Sequence, residues 1–166
     1  MTSYVLYLNS SNKLNGSLNN NATFYVDWAN FFPHSQSQQK YKVSYSFLSN
    51  GGYYKDNITT FYSSAKIYLN FGSPSLTFNS ETNGPSHVLG LISRDVQGTT
   101  TSSNYFSAFY NQYPAKIIYR PTQNIFSVNI VNTFTNTVLT NTDNSNVSVA
   151  TGDMTNYNLI IEFVEV

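Results

Sequence analysis

The sequence predicts an all-β fold, an antiparallel β-sandwich formed as one domain over residues 1–166. Composition is the first reason. Val, Ile, Thr, Tyr, Phe and Trp number 65, against 26 for Ala, Leu, Glu and Lys. β-branched and aromatic side chains fit a pleated, half-buried surface, whereas the second group favours helices. Alternation is the second: apolar residues recur at every other position in short runs. The third is punctuation, because clusters rich in Asn, Ser, Thr and Gly separate those runs as the turns of a sandwich or barrel would.

Taken in order, "SYVLYL" (3–8) makes a first strand. "KLNGSL" (13–18) holds Asn15-Gly16, a hairpin signal because a type I′ turn needs positive φ at both central positions. A second strand spans 22–28, where Phe24, Val26 and Trp28 alternate with Tyr25 and Asp27 before Phe31, Phe32 and Pro33. In "QKYKVSYSFLS", Tyr41, Val43, Tyr45 and Phe47 share one face, and "AKIYLNF" repeats the pattern with Ile67, Leu69 and Phe71. "HVLGLIS" (87–93) has Gly90 inside it, the mark of a bulge. "AKIIYR" (115–120) stops at Pro121, which cannot donate to a ladder. "IFSVNIV" puts Phe126, Val128 and Ile130 on one face, "TNTVLT" is a short candidate, and "NYNLIIEFVEV" closes the chain with Leu159, Ile161 and Phe163 inward. The connections at 49–64 and 94–114 exceed the usual loop length, and such loops are often functional.

Leu, Ile, Val and Phe number 44 of 166, above the roughly 20% below which chains stay disordered. Charge is scarce: 8 basic and 8 acidic residues give a net of zero, and charged residues are 10% of the chain. The usual share is about 25%. Such a surface repels itself little and favours association. Without a basic stripe it does not suit nucleic-acid binding. There is no cysteine, so disulfides and thiolate metal sites are excluded and a reducing compartment is permitted. The start has no signal-peptide pattern, and no apolar run is long enough to span a membrane as a helix. The expectation is a chain made in a cytoplasm.

Catalytic and metal chemistry find little purchase. The two histidines, His34 and His87, have no metal-ligand spacing, and no nucleophile elbow is present. Paired carboxylates would have to come from Asp27, Glu81, Asp95, Asp143, Asp153 or Glu162, scattered over turns and strands. "NTDNSN" (141–146) aligns Asn141, Asp143 and Ser145, but a calcium loop needs more carboxylates, so an Asx-rich turn is the simpler account. The expectation is a non-enzyme with no catalytic residue, cofactor or metal.

Aromatic residues also cluster outside the strand pattern: Tyr53, Tyr54, Phe61, Tyr62, Tyr105, Phe106, Phe109, Tyr110 and Tyr113. They suit three roles: capping the ends of the sandwich, a protein interface, or stacking on sugars. The contact surface expected here comprises Tyr53, Tyr54, Phe61, Tyr62, Phe106, Phe109, Tyr110 and Tyr113, together with the first strand and the tail residues Phe163 and Val166. Trp28, Phe31 and Phe32 are expected to plug one end of the core at a chain corner.

"ATFYVDWANFFP" followed by "YKVSYSFLS", then "IIYRP…IFSVNIVN" and "NLIIEFVEV", resembles the single jelly-roll minor capsid and penton proteins of large double-stranded DNA viruses and virophages. The resemblance spans nearly the whole chain and lies in the order of apolar positions. It implies a single jelly roll of about eight strands and a structural virion protein made in a host cytoplasm. Its partners would be the major capsid protein and neighbouring minor proteins, and a homo-pentamer is one form it allows. It carries no catalytic motif. The alternative from another class is a lectin-like carbohydrate-binding sandwich, with Tyr53, Tyr54 and Tyr62 stacking on sugars and Asp56 and Asn57 binding hydroxyls.

Overall fold

The computed structural model describes residues 1–52, 54, 64–72, 77–80, 84–96, 104–140 and 152–166. Its strands are β1 (Ser3–Asn9), β2 (Asn21–Tyr25), β3 (Lys40–Ser49), β4 (Ser64–Leu69), β5 (Thr77–Asn79), β6 (Gly84–Ser86), β7 (Val88–Val96), β8 (Asn104–Tyr119), β9 (Ile125–Asn132) and β10 (Tyr157–Glu165). A 3-10 turn (Ser10–Asn12) follows β1, and a short α-helix, α1 (Trp28–Phe31), follows β2. β5 and β6 pair as a separate small hairpin.

The other eight strands hydrogen-bond in the order β1-β10-β3-β8-β7-β4-β9-β2, every neighbour antiparallel. Among these eight, the first pairs with the last, the second with the seventh, the third with the sixth and the fourth with the fifth. That nesting is a long antiparallel hairpin rolled over on itself, which is a single jelly roll. One half is β1-β10-β3-β8 and the other β7-β4-β9-β2, joined where Ser93–Val96 pairs with Asn104–Ser107. Tyr45 crosses between them. From β3 its hydroxyl donates to the Leu91 carbonyl of β7 at 2.7 Å.

Alternation explains the core. Tyr41, Val43, Tyr45 and Phe47 of β3 are buried, as are Phe126, Val128 and Ile130 of β9 and Leu159, Ile161 and Phe163 of β10. Each set meets the other half of the sandwich, and one-residue slips would turn it to solvent.

Several expectations change. The Asn15-Gly16 turn does not join a hairpin: β1 pairs with β10 and β2 with β9. Gly16 has φ +85 while Asn15 lacks a positive φ, and the Ser17 amide donates to the Leu14 carbonyl. This is the pattern of a type II turn, which leaves the strands free to part. The second strand stops at Tyr25, and Trp28 starts a helical turn. Asp27 is responsible, because its carboxylate accepts from the amides of Ala29 and Asn30 as an N-cap. Pro33 then disfavours helix at Phe32. This corner carries the chain from one half of the sandwich to the other, since β2 and β3 are not paired. The long 94–114 connection is mostly strand, with β7 reaching Val96 and β8 starting at Asn104. "TNTVLT" forms only a single bridge, Val131 with Val138. The tail, expected as contact surface, is mostly an interior strand, because β10 lies between β1 and β3.

Two buried asparagines lock the segment before β2. The Asn20 side chain donates to the carbonyls of Leu139 and Gly152 at 3.0 and 3.1 Å, and the Asn19 side chain donates to the Met154 carbonyl at 2.8 Å. The Asn20 amide donates to Asp153. Removing a partner from buried carbonyls leaves them unsatisfied at about 1–3 kcal/mol. Asn20→Ala is therefore expected to lower unfolding free energy by about that much, read by urea denaturation; an unchanged midpoint would refute the clamp.

The interior tyrosines set an alkaline limit. Burial, with a smaller contribution from Asp153, raises the Tyr157 hydroxyl far above its ordinary range, and burial also raises Tyr54. A raised folded pKa means stability that is intact below about 10 and is lost as pH climbs through the folded value. Lys116 acts oppositely: burial lowers it to about 8, so its penalty is relieved as pH rises from there towards its unfolded value. Melting temperature is expected to hold or rise slightly from about pH 8 to 10 and fall steeply above. Tyr157 stacks on Phe47 at 4.9 Å, and its hydroxyl has no hydrogen-bond partner among the described residues. Tyr157→Phe should leave neutral stability unchanged or raised and make the alkaline fall shallower; an alkaline profile identical to the parent would contradict this account.

Candidate assembly surface

The expected contact residues divide. Tyr54 and Phe106 are buried against each other, edge to face at 5.1 Å, and the Tyr54 hydroxyl is hydrogen-bonded to Thr155. Phe163 is fully buried on the inner face of β10. These three are core residues and meet no neighbour. Phe106 and Phe163 turn inward from β8 and β10, and Tyr54, beyond the end of β3, packs against Phe106. Val166 is 68% exposed. Tyr53, Phe61 and Tyr62 lie outside the described residues, as do the side chains of Phe109, Tyr110 and Tyr113, whose backbone belongs to β8. The sugar-binding candidates Asp56 and Asn57 lie outside them too.

The corner residues meet at one end of the core. Trp28 and Phe32 are buried and Phe31 is half-buried. The Trp28 ring lies 5.1 to 6.3 Å from Phe31, Phe32, Phe71, Phe126 and Phe163. Its indole N–H donates to the Gln123 carbonyl at 2.7 Å. Phe126 belongs to one half of the sandwich and Phe163 to the other, so Trp28 closes the gap between them.

What faces outward mixes apolar and polar side chains. On the β1-β10-β3-β8 half, the register sets Val5 beside Glu162 and Tyr7 beside Ile160, with Val164 beside Lys42 and Lys42 beside Ile117. Val5 and Tyr7 are 58% and 57% exposed, and Leu48 and Ile117 are also exposed. Where β10 ends, Met1, Lys42, Ser44, Glu162, Val164, Glu165 and Val166 line a groove of about 280 Å³. Its only charges on strands are Lys42, Glu162 and Glu165, and Glu162 accepts from the Ser44 hydroxyl.

The carboxylates serve the fold. Asp27 caps α1, Asp95 accepts from the Ser107 hydroxyl, and Asp153 accepts from the amides of Asn20 and Met154. Glu81 and Asp143 lie outside the described residues. Among the described residues no cluster of His, Asp and Glu suits a metal ion, and no helix is long and apolar enough to cross a membrane. No protein-family model and no curated protein matches the chain.

Sequence reasoning missed Asn19 and Asn20. In a chain with 23 asparagines their run looked like composition, and only the burial of a polar pair singles them out.

Proposed function

We propose that this chain is a structural virion protein, a minor capsid or penton component of an icosahedral double-stranded DNA virus. Its partners are the major capsid protein and neighbouring minor proteins, and its work is assembly rather than catalysis. The observation that carries the reading is the outer face of the β1-β10-β3-β8 half. It is a rigid sheet surface bearing exposed Val5, Tyr7, Leu48 and Ile117 and few charges. Exposed apolar side chains on a sheet face suit contact with a partner, and a chain of zero net charge tolerates crowding without self-repulsion. The jelly-roll topology fits the sequence resemblance to viral capsid proteins, and fold alone does not set function. The sugar-binding alternative is weakened at one of its three stacking rings, since Tyr54 is buried.

Mass spectrometry of purified particles from the virus that encodes the chain tests this reading. The chain should hold a fixed ratio to the major capsid protein and stay with the shell after salt washing. Absence from the particles would overturn the proposal.

A further inference from the structure

The two edges of the jelly roll differ. β1 and β2 stand at the ends of the strand order, each with one side free of strand pairing. The β2 edge is covered. At its centre the Thr23 carbonyl accepts from the Leu14 amide at 2.7 Å and the Thr23 amide donates to the Ser17 hydroxyl at 3.2 Å. The loop carrying the Gly16 turn thus satisfies that edge.

Among the described residues the β1 edge has no such cover. The Glu165 amide donates to the Thr2 carbonyl at 3.0 Å, and the register places those two residues opposite each other. In an antiparallel ladder the hydrogen-bonded pairs alternate. Tyr4, Leu6 and Leu8 therefore bond β10, and the backbone groups of Ser3, Val5 and Tyr7 point away from it. None of these outward groups bonds backbone among the described residues. Natural edges are usually blunted by charge, proline or a bulge, and "SYVLYLN" has neither charge nor proline.

We propose that β1 pairs antiparallel with β1 of a second copy of this chain, about a two-fold axis through Leu6. Only registers that set outward residues opposite outward residues can hydrogen-bond. The Leu6-centred register does so along the whole strand. It places Val5 against the second copy's Tyr7 twice, and Ser3 against the second copy's Asn9 twice. Aromatic and β-branched partners stabilise a cross-strand pair, and no like charges meet. The pairing turns two four-stranded halves into one continuous sheet and covers Val5 and Tyr7, two of the most exposed apolar side chains on the strands. A two-fold contact closes on itself, so it yields a dimer and not a fibre. The inference rests on the sheet geometry and stands apart from the virion reading, which particle composition tests separately.

The absence of cysteine makes a clean test available. Val5→Cys and Tyr7→Cys proteins are prepared separately, then mixed and mildly oxidised. Opposed positions of a hydrogen-bonded pair are about 5.5 Å apart at Cα, within disulfide range. The mixture should form disulfide dimers several-fold more than either protein alone. A Val5→Lys/Tyr7→Lys variant should be monomeric by light scattering with an unchanged far-ultraviolet circular dichroism spectrum, because within one copy both positions face solvent. Cross-linking no greater in the mixture than in the separate proteins would overturn the proposal. So would an oligomer that survives the lysine pair.

Discussion

Trp28→Ala is expected to lower the unfolding free energy by about 3–5 kcal/mol, the largest loss for any single truncation in this fold. The ring is 2% exposed and touches five other aromatic rings from α1, the two sandwich halves and the segment after β4. Phe126 and Phe163 are held on strands and cannot swing in to fill the cavity. The Gln123 carbonyl also loses its donor. Phe32→Ala should follow it, and the half-buried Phe31 should cost least of the three. Chemical denaturation followed by far-ultraviolet circular dichroism reads the series, and a Trp28→Ala loss under about 1 kcal/mol would contradict the end-plug account.

The second large effect is expected at Gly90. A methyl placed there would sit 2.0 Å from the Tyr45 hydroxyl oxygen and 2.4 Å from its ring carbon. Tyr45 cannot simply move aside, because it is buried and its hydroxyl is bonded to the Leu91 carbonyl. Gly90→Ala therefore displaces a ring that spans the sandwich and breaks its hydrogen bond, at about 2–4 kcal/mol. Tyr45→Leu removes the clashing atoms. In that background Gly90→Ala should cost much less, a strong non-additivity in a double-mutant cycle. Additive losses would show that the glycine is needed for something other than space.

Gly90 also shows how far the sequence could be read. A glycine inside an apolar run signals a bulge or a close approach, and both occur. The β4–β7 register shifts between Ile67 and Tyr68, beside Gly90, and Tyr45 presses on the glycine from across the core. The shift was legible because it is local to the strand. The partner was not, because Tyr45 is 45 residues away in sequence. The same contrast holds along the chain. β3, β9 and the end of β10 follow from period-two alternation, which the buried face enforces. The one-turn helix at Trp28 was hidden, since Phe24, Val26 and Trp28 keep the strand period and only the Asp27 cap interrupts it. The contact surface was legible least well. Tyr54, Phe106 and Phe163 are apolar for the sake of the core, whereas Val5 and Tyr7 lie on the outer face of the first strand, which the sequence offered as contact surface and the strand order places at an edge.

The central claim is that this jelly roll is a building block that associates through its sheet surface. Light scattering on a sizing column, at low and moderate salt, tests it most directly. The account predicts a discrete assembly above the 18.7 kDa chain mass that persists as salt rises, because apolar and backbone contacts are little screened. A monomer of 18.7 kDa at every concentration and salt would contradict it.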